Sequence, residues 1–184
     1  MHLISRAQAG DKEAFAALFE RYKNLVYKTA YHMLGDAAEA EDALQEVFVL
    51  VHRSLSSFDP RKGAFTTWLH RVTFNYCLNH RRKRHFLFLS LEDVSPALVS
   101  EFPSAQLAEK EAVQQAISKL SDRQRAVVIL RYYWELPYAE IARILDIPLG
   151  TVKSRLDLAL KTLRRALEEQ EVCFSTAPEV EACK

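Results

Sequence analysis

Three consecutive hydrogen-bond donors, Lys153, Ser154 and Arg155, directly follow Gly150-Thr151-Val152 at the start of the last stretch with helical periodicity. At the amino-terminal end of such a helix, donors of this kind can enter the major groove of DNA and meet base edges or phosphates. The segment before them fits that chemistry. Ile141-Ala142 on one helix, the turn Asp146-Ile147-Pro148-Leu149-Gly150 and the donor-bearing helix match a helix-turn-helix, with Ala142 small where the helices cross and Leu145, Val152 and Leu156 packed between them. An ordinary helical hairpin with solvated charges would show the same spacing.

A second cluster lies upstream, where Arg71, Arg81, Arg82, Lys83 and Arg84 are interleaved with Phe65, Trp68, Phe74 and Tyr76. Cations beside aromatic rings can hold a phosphate backbone while stacking unpaired bases. Core aromatics next to a solvated charge run are the competing reading. The third cluster is acidic: Asp42, Gln45, Glu46 and Val49 share the helix face opposite Leu44, Val47, Phe48 and Val51, which makes it either a protein-docking face or a solvated one. The charges are segregated although the net charge is only +1. Five acids and no Lys or Arg fall between Asp36 and His52, whereas seven bases and no acid fall between Pro60 and Leu91. Such blocks suit two partners of opposite charge.

Catalytic chemistry finds no support. The six histidines lack the spacings of metal sites, and His80 and His85 sit in a basic run that repels cations. Three cysteines, Cys77, Cys173 and Cys183, form no CxxC pair and read as reduced thiols. There is no glycine-rich phosphate loop and no nucleophile motif, so no catalytic residue, metal or cofactor is expected.

The elements that must position these clusters are all helical. Only four glycines occur in 184 residues, and Gly10, Gly35, Gly63 and Gly150 stand where helices should end or turn. Apolar spacing after Gly10 predicts a helix to about Leu34, and Asp36 with Glu39 signals the start of the next. A loop at 58–63 precedes a helix that runs through Trp68 and Leu78 into the basic run. From Phe86 to Gln106 periodicity fails among Ser and Pro residues. Beyond it, Val113 to Leu120 is a short amphipathic helix, and Ser121-Asp122-Arg123-Gln124 is a capping box opening a helix with residues 126–133 buried. The expected architecture is all-α: two small helical domains at 1–85 and 107–170 joined by a flexible linker at 86–106, with an acidic tail at 171–184. Apolar runs are far shorter than the ~18 residues that span a bilayer, and the amino terminus lacks a signal sequence, so a cytoplasmic protein without membrane insertion is expected.

Asp42-Ala-Leu-Gln-Glu-Val-Phe48, Phe65-Thr-Thr-Trp-Leu69 through Asn75, and Ile141-Ala142 with Gly150-Thr-Val-Lys-Ser-Arg-Leu156 together resemble the extracytoplasmic-function group of the sigma-70 family over roughly residues 5 to 168. The resemblance implies a promoter-recognition subunit of RNA polymerase, acting in a stress or envelope response. It implies that Asp42, Gln45, Glu46 and Val49 dock on the polymerase clamp. Phe58, Phe65, Trp68, Arg71, Asn75, Arg81, Arg82 and Arg84 would recognise and melt the minus-ten region, with a flipped base held by Phe58 and Asn75. Thr151, Lys153, Ser154 and Arg155 would read the minus-thirty-five element while their domain docks on the flap. An anti-sigma factor is a further partner the resemblance allows.

Three residues depart from the family's pattern. Pro137 replaces a frequent Ser or Thr and cannot cap a helix with its side chain. Asp157, with Leu158, stands where a basic or aromatic residue often contacts DNA, and phosphate repels an acid there. A DNA-binding regulator without melting activity leaves the motifs at Asp42 to Phe48 and Phe65 to Asn75 unexplained. A factor that merely titrates another protein needs no basic helix.

Overall fold

The computed structural model describes residues 2–89, 113 and 115–175, and every regular element within them is a helix or helical turn. The first module contains α1 (His2–Gln8), α2 (Lys12–Leu34), α3 (Ala37–Ser54), a 3-10 turn (Leu55–Ser57) and α4 (Phe65–Leu89). The second contains a helical turn at 115–118, then α5 (Asp122–Val128), a π-turn (Ile129–Tyr133), α6 (Tyr138–Leu145) and α7 (Leu149–Ser175).

Local chemistry sets the boundaries. Asp11 caps α2 by accepting from the Ala14 amide, and Gly35 closes the helix at φ 82° with its amide on the Tyr31 carbonyl. Asp36 then caps α3 by accepting from the Glu39 amide at 2.8 Å. Ser121 and Gln124 form the reciprocal capping box at α5. Pro137 precedes α6 without a side-chain cap, as its chemistry requires.

Leu18, Val26, Val47, Val51 and Leu69 are fully buried where α2, α3 and α4 meet, with Phe48, Phe58 and Phe65 completing that core. A second buried cluster joins the two modules, running from Ala30, Met33, Phe74 and Cys77 into Leu120, Val127, Leu130 and Ile141. The helix-turn-helix module therefore sits against α2 and α4.

Several expected boundaries shift. The basic helix continues to Leu89, so residues 86–89 are helix rather than linker, and α7 continues to Ser175 through the first part of the expected tail. The rest of the expected linker and tail lies outside the described residues. α7 begins at Leu149, two residues before the expected Thr151, because the Thr151 and Val152 amides already bond the Pro148 carbonyl. Of the stretch 126–133 expected to be buried, Tyr132 and Tyr133 are instead 56% and 39% exposed. The π-turn begun at Ile129 widens the helix there and rotates the next residues off the buried face.

Candidate polymerase and nucleic-acid interfaces

On α3, Asp42, Gln45, Glu46 and Val49 are all exposed and, at i, i+3, i+4 and i+7, form one stripe. The opposite face, Ala40, Ala43, Val47, Phe48 and Val51, is buried. The stripe thus consists of two carboxylates, an amide and a 42% exposed valine on a rigid helix. Its field reaches α4. The Tyr76 phenol is pushed above its ordinary pKa, first by burial and then by neighbouring acidic groups that include Glu46, Asp42 and Glu39. Beside the stripe, Phe15, Phe19, Phe48, Val49 and His52 line an open groove between α2 and α3.

The loop before α4 is held by a residue that sequence reasoning passed over. Gln8 on α1 donates its amide N–H groups to the Leu55 and Phe58 carbonyls at 2.9 and 2.8 Å. Asp59 accepts from the Arg61 amide at 3.0 Å, and the Arg61 guanidinium holds the Asp59 carboxyl below its ordinary pKa. Phe58 and Phe65 are each only 6% exposed. The Phe58 ring meets Phe65 edge-on at 5.4 Å and Trp68 at 5.5 Å, so the aromatic side chain expected to stack a base is packed in the core of the first module. Trp68 is half-buried, and Arg71 and Asn75 are exposed.

Further along α4 the basic run is partly engaged within the chain. Arg81 bonds Asp122 and also donates to the Met33 carbonyl at 3.2 Å, while Arg84 pairs with Glu39. Arg82 and Lys83 are exposed. Glu39, counted among the acids of the α3 block, therefore serves α4 instead, with His80 also 3.8 Å from it.

In the helix-turn-helix, Ile141, Ile144, Val152 and Leu156 are buried between α6 and α7, and Ala142 and Leu145 pack against them. Asp146 adopts a left-handed conformation at φ 54°, which Asp tolerates better than most residues, and so turns the chain out of α6. Lys153 and Ser154 are exposed near the start of α7, and Thr151 is half-buried beside them. Arg155, expected to match them as a donor, is half-buried; burial, and then the nearby Arg123, lower its pKa. The outward positions one turn later are Asp157 and Leu158, and Asp157 pairs with Lys161 at 2.9 Å.

The junction between modules joins motif residues, Thr67, Arg71 and Asp146, to residues that no motif announced, Glu140, Arg125 and Trp134. Thr67 donates to Glu140 at 2.7 Å, and Arg71 pairs with Asp146 at 3.2 Å. Arg125 is buried and donates to the Met33 carbonyl at 2.9 Å, so the carboxyl end of α2 holds an arginine from each module. Burial lowers the Arg125 guanidinium to about 10. His70 faces Trp134 at 5.0 Å, and neither His70 Nδ1 nor Trp134 Nε1 has a hydrogen-bond partner among the described residues. Burial pushes the His70 imidazole down to about 4, partly opposed by Glu140. Cys77 is a buried free thiol raised to about 12 by the same effect, and hence unreactive.

A helix with an exposed acidic face, a basic helix with aromatic residues and a helix-turn-helix, in that order on a chain whose described elements are all helical, define the class of two-module transcription initiation factors. The Sigma-70 region 2 profile matches residues 18–86, and the Sigma-70 region 4 profile matches residues 110–163. The chain is 35% identical to the ECF RNA polymerase sigma factor SigW of Bacillus subtilis over 179 residues, covering 90% of this chain and 95% of the relative. It is 32% identical to the RNA polymerase sigma-H factor of Pseudomonas aeruginosa, covering 90% and 92%. The chain belongs to the extracytoplasmic-function group of the sigma-70 family. It is a sigma factor, which binds core RNA polymerase and promoter DNA to start transcription, and is not an enzyme. Among solved structures, the sigma factor RpoE of Bartonella quintana, in complex with the anti-sigma factor NepR, shares the fold at a TM-score of 0.68 with 23% identity, covering 84% of this chain and 96% of that one. CnrH, in complex with the cytosolic domain of CnrY, shares it at 0.67 with 24% identity, covering 91% and 96%. Among the described residues no helix is long and apolar enough to cross a membrane.

Proposed function

We propose that the three clusters divide the work of initiation. The α3 stripe of Asp42, Gln45, Glu46 and Val49 docks on a basic surface of the polymerase clamp, where its carboxylates steer association and Val49 adds apolar contact. α4 receives the minus-ten region: Arg71, Arg82 and the neighbouring bases hold phosphates, and Trp68 and Asn75 meet the unpaired strand. Unstacking a base costs a few kcal/mol, which stacking and phosphate contacts offset. The start of α7, with Lys153 and Ser154 foremost and Thr151 and Arg155 behind them, reads the minus-thirty-five element while the module docks on the flap. Phe58 supports this site by walling Trp68, and would reach a base only if the loop moved.

The observation that supports the reading most is the α3 stripe, in which four consecutive same-face positions are exposed over a buried apolar back. The protein acts in the cytoplasm beside polymerase, in a stress or envelope response. The Bartonella quintana fold neighbour was solved with an anti-sigma factor, and a partner of that kind, competing for the α3 stripe, fits this chain. The test is transcription from a randomised promoter library by core polymerase reconstituted with the chain. One enriched sequence pair with fixed spacing is expected. Transcription without sequence enrichment contradicts the reading.

A further inference from the structure

Glu39 belongs by sequence to the acidic block of α3 and stands only about 20° around the helix from Glu46. Its carboxylate nevertheless turns to α4, where one oxygen pairs with Arg84 and the other lies 3.8 Å from His80 Nε2. The Glu39 amide is committed as well, donating to Asp36 at 2.8 Å. One turn earlier on α4, the Tyr76 ring stacks on His80 at 5.9 Å with the planes 23° apart. Tyr76, His80 and Arg84 thus form a row of three side chains along α3. The Tyr76 phenol, held above its ordinary pKa by burial and then by acids that include Glu46, Asp42 and Glu39, lies within the field of the whole stripe.

This row fixes the rotation of α4 at its basic end. Arg81, Arg82, Lys83 and Arg84 follow one another, and α4 carries no acid, so the carboxylates that orient the run must come from neighbouring elements. Arg82 stands about 160° around the helix from both His80 and Arg84, so fastening those two against α3 turns Arg82 to the opposite side. There it is exposed. We infer that Glu39 is a positioning residue for promoter opening, which orients the basic end of α4 so that Arg82 meets the DNA backbone, and that it takes no part in holding the polymerase. The inference rests on the reading of α4 as the helix that holds minus-ten phosphates. Arg84 is 46% exposed and Glu39 25%, so the pair adds little to folding, and its loss should show in the aim of Arg82.

The experiment uses the full chain bound to saturating core polymerase, on the promoter enriched from the randomised library, and follows strand opening by permanganate reactivity. E39Q removes the charge and keeps the side-chain size and the amide that Asp36 accepts from. E41Q makes the same change in net charge at an exposed position about 160° away around α3. E39Q should slow opening about fivefold or more with core affinity unchanged, whereas E41Q should open as wild type does. R82Q should be slow too, and because Glu39 acts through Arg82, E39Q/R82Q should open no more slowly than R82Q alone. Multiplying losses in the double variant overturn the inference, since a general loosening of the fold would add to any other defect. Opening by E39Q at the wild-type rate overturns it as well, and a defect confined to core affinity would return Glu39 to the docking stripe. If R82Q itself opens as wild type does, the reading of α4 fails and takes the inference with it.

Discussion

Asp157 lies on the outward side of α7 and pairs with Lys161, so a carboxylate both faces outward and occupies a cation. The pair is exposed and contributes at most about 1 kcal/mol to stability, so its effect falls on DNA rather than on folding. Asp157→Arg should strengthen binding of the polymerase-bound protein to upstream duplex DNA and steepen the salt dependence by about one to two phosphate contacts. A salt titration reads both, and an unchanged slope would turn position 157 away from the backbone. Gln8 makes a second residue-level prediction. Its amide serves two carbonyls at the Phe58 loop, and Gln8→Ala should cost about 1 to 2 kcal/mol in chemical denaturation, because those acceptors are part-buried. The sequence exposed Lys153 and Ser154 through helical spacing alone. It could not expose Gln8, whose partners lie about 50 residues away. Nor could it show that Phe65 and Trp68 close over Phe58, or that Arg155 is half-buried, since tertiary packing decides both.

At the scale of elements, most helices were legible because their ends are written in local chemistry. Asp36 before α3 and the Ser121 and Gln124 box before α5 announce starts that the backbone then follows. Ser121→Ala should lower stability by about 1 kcal/mol, measured as a shift in denaturation midpoint, and Ser121→Asp should restore most of it. The short α1 escaped notice because seven residues give too few turns for an apolar period to show. The π-turn escaped for another reason. Tyr132 and Tyr133 continue an apolar run, and only the i+5 hydrogen bonding from Ile129 to Trp134 swings them toward solvent. The starts of α6 and α7, and with them the helix-turn-helix, follow from Pro137, Asp146 and Pro148, each a residue with restricted or special backbone geometry.

For the whole molecule, the sequence separated two modules but carried no sign of their packing, because Arg125, Trp134 and Glu140 belong to no motif and nothing in the motif around His70 marks it as a contact to the second module. His70 gives the junction a pH signature. Its imidazole falls from 6.5 to about 4 on burial, so folded protein keeps it neutral where the unfolded chain takes up a proton. The stability tied to a neutral His70 is complete above about pH 6.5 and is lost progressively as pH falls toward 4, amounting to about 3 kcal/mol across the window. His32 shifts in the same direction, first through burial and then through Lys28. His70→Asn should flatten the acid limb of a thermal-denaturation profile between pH 7 and 4, and an unaltered limb would place its origin elsewhere.

The central claim is that an exposed acidic stripe on α3 brings this chain to core polymerase as a sigma factor. Competition binding with D42K/E46K tests it most directly, because both positions are exposed on α3 and their charge reversal is expected to leave the buried face of the helix in place. The double variant, folded as judged by circular dichroism, is expected to bind core polymerase at least about tenfold more weakly than wild type, a loss of about 1.4 kcal/mol or more. Undiminished binding by the folded variant would contradict the account.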